Sequence, residues 1–201
     1  MDVTWFRAPA DDAGMLNACY NALDVHVIHG RAEEVALLHE QRPMSFAGLL
    51  TEVGAFAGVL QAFGVGVGDE VVVLDVPPLE DTVAQLACAR VGAVHFDERS
   101  PTPALVLAGT AAGLDVGRDL GTVPLITVDD TGELGWEMAM RAGRTQPAGC
   151  AELSGDAPLR VVGGTPVLTA QHLLSVAAGE VVDPVLTPLM AGRTLVLAGR
   201  S

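Results

Sequence analysis

From Met44 to Gly64 the apolar residues Phe46, Leu49, Leu50, Val53, Phe56, Ala57 and Leu60 return every three or four positions. Ser45 stands where an N-cap belongs, and Met44 before it can staple onto Leu49. The spacing predicts an amphipathic helix. After the glycine-rich turn from Gly64 to Asp69, the stretch Glu70-Val-Val-Val-Leu-Asp75 has an unbroken β-branched centre, the mark of a strand buried on both faces. Pro77-Pro78 ends that strand. A second helix over Leu79 to Val91 sets Leu79, Val83, Leu86 and Ala87 on one face, and Gly92 stops it before the short strand Ala93-Val-His-Phe96. Strand, crossover helix and strand form a βαβ unit, which requires parallel pairing through a right-handed connection.

The middle of the chain is less regular. Ala104 to Ala108 and Val123 to Val128 read as short strands, and Glu133 to Ala142 as a helix containing Trp136. Gly143 to Ala157 has the composition of a loop. Leu159 to Val162 reads as a buried strand, Thr169 as the cap of a helix carrying Leu173, Leu174 and Val176, and Thr194 to Leu197 as a last strand. The alternation of strands and helices gives the class: α/β, with a mostly parallel sheet flanked by helices.

Charge narrows the function. Twenty-five acidic residues against eleven basic ones leave a formal charge of −14, so no basic surface is available to displace counterions from nucleic acid or to settle on anionic lipid. All eleven basic residues are arginine; the chain contains no lysine. No apolar run reaches the ~18 residues of a membrane span, and the acidic opening MDVTWFRAPADD is unlike a signal peptide, so a cytoplasmic location is expected. Cys19, Cys88 and Cys150 form no CxxC pair, which speaks against a zinc knuckle and for reduced thiols.

Asp24-Val-His26-Val-Ile-His29, with His39 further on, offers a spacing compatible with metal ligation, set against the reading of an N-terminal packing segment with locally bonded histidines. Glu33-Glu34 and Asp129-Asp130 are adjacent carboxylates whose side chains diverge, which suits solvated surface better than acid–base work. Ser154 lacks the Gly-x-Ser-x-Gly setting of a hydrolase nucleophile.

Several blocks, in order, are similar to a known family. Val3-Thr-Trp-Phe6, Leu16-Asn-Ala-Cys-Tyr-Asn21 and Ala22-Leu-Asp-Val-His26 resemble the N-terminal cap of acetyl- and propionyl-CoA synthetases. Ser45-Phe46, Gly66-Val-Gly-Asp-Glu-Val-Val-Val73 and Leu86-Ala-Cys-Ala-Arg-Val-Gly-Ala-Val-His95 follow the order of AMP-forming acyl-CoA synthetases, the adenylate-forming superfamily. The resemblance implies an N-terminal cap over residues 1–43 and a partial AMP-binding-like α/β domain over 44–201, an incomplete N-terminal subdomain without the C-terminal lid. It implies ATP with magnesium and coenzyme A as cofactors, wherever the family's activity is retained.

The family's phosphate loop reads Thr-Ser-Gly-Thr-Thr-Gly-x-Pro-Lys-Gly, followed by a helix. Here Arg160-Val-Val-Gly-Gly-Thr-Pro-Val-Leu-Thr169 keeps Gly-x-Pro at Gly164-Thr-Pro166 and has lost the lysine and the hydroxyl-rich front half. Gly163, Gly164 and Thr165 are the remaining phosphate-binding candidates, and the competing reading of the same residues is a tight strand-to-helix turn. Ser154-Gly155 with Arg160 forms a weaker second candidate, because Asp156 sets negative charge beside it. No catalytic residue and no metal site is assigned. The expectation is therefore a truncated, non-catalytic homologue acting as a binding or partner module, with a second copy or another protein covering an exposed sheet edge. The alternative is an ATP-dependent ligase for a small carboxylate, alone or as one part of a split enzyme.

Overall fold

In the computed structural model, residues 16–96, 100, 102–109, 115, 121–129, 134–162, 165–175 and 180–198 are described. The chain enters through a helical segment that passes through a π-helical turn, Tyr20–Asp24, into α1, Val25–Ile28. Strands β1 (Val35–His39) and β2 (Arg42–Ser45) follow, then α2 (Phe46–Ala62), β3 (Glu70–Leu74), α3 (Pro78–Val91) and β4 (Val94–Phe96). The remaining elements are β5 (Leu105–Ala108), β6 (Leu125–Thr127), α4 (Trp136–Gly143), β7 (Pro158–Val162), β8 (Thr165–Thr169), α5 (Ala170–Ser175), α6 (Leu186–Met190) and β9 (Leu195–Leu197). No described helix is long and apolar enough to cross a membrane.

Two sheets result. The larger has the order β6-β5-β3-β4-β7-β8, parallel throughout except for β8, which runs antiparallel to β7. Side chains alternate across it, so Val71 and Val73 enter the main core while Val72 joins Val94, Phe96 and Val106 in a second apolar cluster. The expected burial of β3 on both faces is thus met. The βαβ unit is β3-α3-β4. Pro78 occupies the first turn of α3, where its missing N–H costs nothing, and Gly92 closes the helix in the left-handed region at φ 80°.

Helix α2 starts as the sequence dictates: Ser45 is extended and its hydroxyl accepts the Gly48 N–H at 3.2 Å. Its apolar surface is wider than an amphipathic stripe, since every residue from Val53 to Leu60 is buried. The reason is that α2 packs against both α3 and α4. Close approach to the α4 end is possible only because Gly58 and Gly143 lack side chains: a Cβ on Gly58 would run into the Gln146 carbonyl, and one on Gly143 into the Ala55 carbonyl. Phe56 and Trp136 meet in the same interface with ring centroids 4.7 Å apart.

Three features depart from the sequence expectation. The segment beyond Gly164 does not pass straight into a helix; it is strand β8, with Val162 opposite Thr165, and the helix begins only at Ala170. The run Thr165–Thr169 carries β-branched residues and finds a partner in β7, and pairing outweighs the helical family pattern. Strand β9 lies in the smaller sheet, order β2-β1-β9, parallel to β1, and not in the main sheet. The hairpin β1–β2 escaped the sequence reading because its turn is Glu40-Gln41, with both residues at positive φ (47° and 65°), where Asn-Gly is the usual signal.

The Gln41→Gly substitution is expected to raise the unfolding free energy by about 1 kcal/mol, by relieving one left-handed non-glycine residue, measured by denaturant titration. Gly58→Ala is expected to lower it by about 3 kcal/mol, because the contact that must yield is backbone. An unchanged denaturation midpoint for Gly58→Ala would contradict the packing described.

Candidate functional site

Parallel sheets present ligand sites at the carboxyl ends of their strands. β7 runs parallel to β4, and β4 to β3, so the segment after Val162 emerges at that end of the sheet. Gly163 and Gly164 lie outside the described residues, and Thr165 enters at the first position of β8. The end of β7 and the start of β8 therefore lie at the appropriate end of the sheet, as antiparallel neighbours.

The helix that follows is already capped by its own chain. The Ala170 N–H donates to the Ala157 carbonyl at 3.1 Å and the Gln171 N–H to the Gly155 carbonyl at 2.8 Å. The His172 N–H donates to the Thr169 hydroxyl at 3.2 Å, as expected of a capping threonine. Amides that could otherwise point at a phosphate are thus engaged. Ser154 and Gly155 of the second candidate, with Asp156 beside them, belong to a turn pressed against Gln171 of α5, with the Ala157 N–H on the Ser154 carbonyl at 3.1 Å. A hydrogen bond from the Ser154 hydroxyl holds the Asp156 carboxyl below the usual range, so this turn carries negative charge. Arg160 stands on β7 opposite His95 of β4, and the His95 ring is held by Asp81 at 2.9 Å.

The N-terminal candidates resolve into packing. Asp24 forms a two-pronged ion pair with Arg90: Nη1 donates to Oδ2 at 2.8 Å and Nη2 to Oδ1 at 3.2 Å. Arg90 also donates from Nε to the Ala148 carbonyl at 2.8 Å and from Nη1 towards the Cys19 sulfur at 3.6 Å. Burial by itself would lower the guanidinium, but the Asp24 hydrogen bonds and the neighbouring sulfurs outweigh it and keep Arg90 firmly charged. His26 is buried, with its Nε2–H on the Leu189 carbonyl at 2.8 Å and its Nδ1 receiving Arg31 at 3.2 Å. Burial, opposed by that carbonyl and aided by Arg31, shifts its pKa down and keeps the imidazole neutral. His29 is exposed and His39 stands on β1, so the three imidazoles do not converge. No group of three or more His, Cys, Asp or Glu among the described residues could hold a metal ion.

Of the adjacent carboxylates, Glu34 pairs with Arg31 at 2.8 Å, Glu33 and Asp129 are exposed, and Asp130 lies outside the described residues. Arg90 was missed at the sequence level, although a signal exists: it continues the stripe Val83, Leu86, Ala87 at helical spacing, and a cation on an apolar face calls for a buried anion. An apolar groove of about 530 Å³ runs along α2, lined by Val27, Leu50, Thr51 and Pro147 together with Arg90 and Arg144. Arg144 is engaged there by Glu52 at 2.7 Å.

Replacing Arg90 with Met should cost about 3 kcal/mol of stability, because Asp24 is left desolvated without its partner. The double variant Asp24→Asn/Arg90→Met should recover most of that loss, and equal destabilisation of single and double variants in denaturant titrations would refute the coupling.

Comparison with known proteins gives these elements a lineage. Residues 25–97 match the family model described as AMP-binding enzyme. Over 154 residues the chain is 35% identical to acetyl-coenzyme A synthetase of Burkholderia thailandensis and 36% identical to that of Burkholderia mallei. Those matches cover 71% of this chain and 20% of each relative, so the chain spans about a fifth of their length. The solved acyl-CoA synthetase of Brucella canis superposes with a TM-score of 0.69 at 17% identity, covering 96% of this chain and 44% of that one. At that identity the superposition establishes the fold. Family model and sequence relatives show that the chain is related to the AMP-forming acyl-CoA synthetases, as a counterpart of their N-terminal part, and the fold agrees.

Proposed function

We propose that these residues form a non-catalytic acyl-CoA synthetase-like module, in the cytoplasm, that works by binding a second copy or another protein along an exposed strand edge and does not hold ATP by itself. The observation that carries this reading is the engagement of the amides at the start of α5 by the chain's own carbonyls and hydroxyl. Gripping a triphosphate takes converging backbone N–H groups, small hydroxyls and a cation. The first amides of α5 are engaged by Ala157, Gly155 and Thr169, and the neighbouring turn contributes the charge of Asp156. None of the 201 residues is a lysine, and arginine does not replace the compact point contact of an ammonium group on phosphate. Support for an edge-binding role comes from β9, which ends the smaller sheet and exposes Val196 to 69%.

The ligase alternative has one observation in its favour, the identity to acetyl-coenzyme A synthetases. Under it these residues would contribute their part of the fold to an enzyme that activates a small carboxylate with ATP, magnesium and coenzyme A. ATP–pyrophosphate exchange with acetate and with propionate separates the two. The expected result is no exchange above background, with calorimetry showing MgATP affinity weaker than about 1 mM. Turnover in the range of ordinary enzymes, or micromolar MgATP affinity, would overturn the proposal.

A further inference from the structure

We propose that Cys19 and Cys150 are a thiol-oxidation site, able to close into a reversible disulfide beside the Asp24–Arg90 ion pair and so clamp the N-terminal helical segment to the segment that follows α4.

The two sulfurs flank one ion pair. The Cys19 sulfur lies 3.6 Å from Arg90 Nη1, that nitrogen lies 2.8 Å from Asp24 Oδ2, and the same oxygen accepts the Cys150 thiol at 3.9 Å. The backbone fixes the two segments side by side. Leu16 N–H donates to the Leu153 carbonyl at 3.0 Å, Asn17 Nδ2 to the Ala151 carbonyl at 3.0 Å, and Ala151 N–H to the Arg90 carbonyl at 2.8 Å. Loop-closure entropy for a bond between these segments is thus already spent by folding.

The cysteines differ in access. Cys19 is fully buried and Cys150 half-buried, so a reagent from solvent reaches Cys150 first. Cys88 is fully enclosed in α3, and burial raises its thiol far beyond the ordinary range, which makes it inert. The hydrogen bond to Cys19, burial and the charge of Asp24 also hold the Cys150 thiol up, while Arg90 pulls the other way. Closure is therefore slow at neutral pH and needs a disulfide oxidant.

The chemistry balances with a small disulfide such as oxidised glutathione. The Cys150 sulfur, losing its proton, attacks one sulfur of the reagent and releases one glutathione thiol. The Cys19 sulfur, losing its proton, then attacks the Cys150 sulfur of the mixed disulfide and releases the second. Two protein thiols are oxidised, and one glutathione disulfide is reduced to two thiols.

The test uses the full chain under native conditions with oxidised glutathione, followed by alkylation in denaturant and peptide mass spectrometry. The expected product is a Cys19–Cys150 cross-linked peptide, with titratable thiols falling from the three free cysteines to Cys88 alone, reversed by dithiothreitol. Cys88→Ala should close equally well. Cys19→Ala should stop at a glutathione adduct on Cys150, and circular dichroism verifies that each variant is folded. A folded wild type that also stops at the Cys150 adduct, keeps all its thiols, or links only in denaturant would overturn the proposal. A cross-link that includes Cys88 would overturn it as well.

Discussion

Arg90 ties together parts of the chain that are far apart in sequence. From the last turn of α3 its side chain reaches Asp24, 66 residues back, and the Ala148 carbonyl, 58 residues on. Its own carbonyl receives Asn17 and Ala151. A guanidinium buried this deeply would be costly unless its donors were met, and here a carboxylate, a carbonyl and a sulfur meet them. The N-terminal segment, α3 and the segment after α4 hold their relative positions around that one cation. The two cysteines come together as a by-product of the same arrangement.

Around this anchor the core is built from packed helices over a sheet. α2 is buried against α3 and α4, the glycines at 58 and 143 permit the close approach, and the parallel sheet lies beneath. The carboxyl end of the sheet is held by polar contacts. There β8 pairs antiparallel with β7, and the amides at the start of α5 bond inwards to the chain's own carbonyls and hydroxyl. Apolar burial is spread over the whole core, whereas binding a polyphosphate depends on a few charges in fixed positions.

The sequence by itself determined the elements whose causes are local. The helix at Phe46–Ala62 follows from apolar spacing and the Ser45 cap, the β3-α3-β4 unit from Val71-Val-Val73, Pro78 and Gly92, and the capping of α5 from Thr169. Family resemblance was legible too, because Ser45-Phe46 and Leu86 to His95 lie in or beside those elements. Tertiary structure alone decided the pairing of β9 with β1, the hairpin after β7, and the ion pair that took Asp24 out of any metal site. It also decided which carbonyls and hydroxyl would satisfy the amides of α5. The physical reason is range: periodicity and caps act over three or four residues along the chain, while strand partners and buried charge pairs are chosen by whichever distant groups the folded backbone brings within hydrogen-bonding distance.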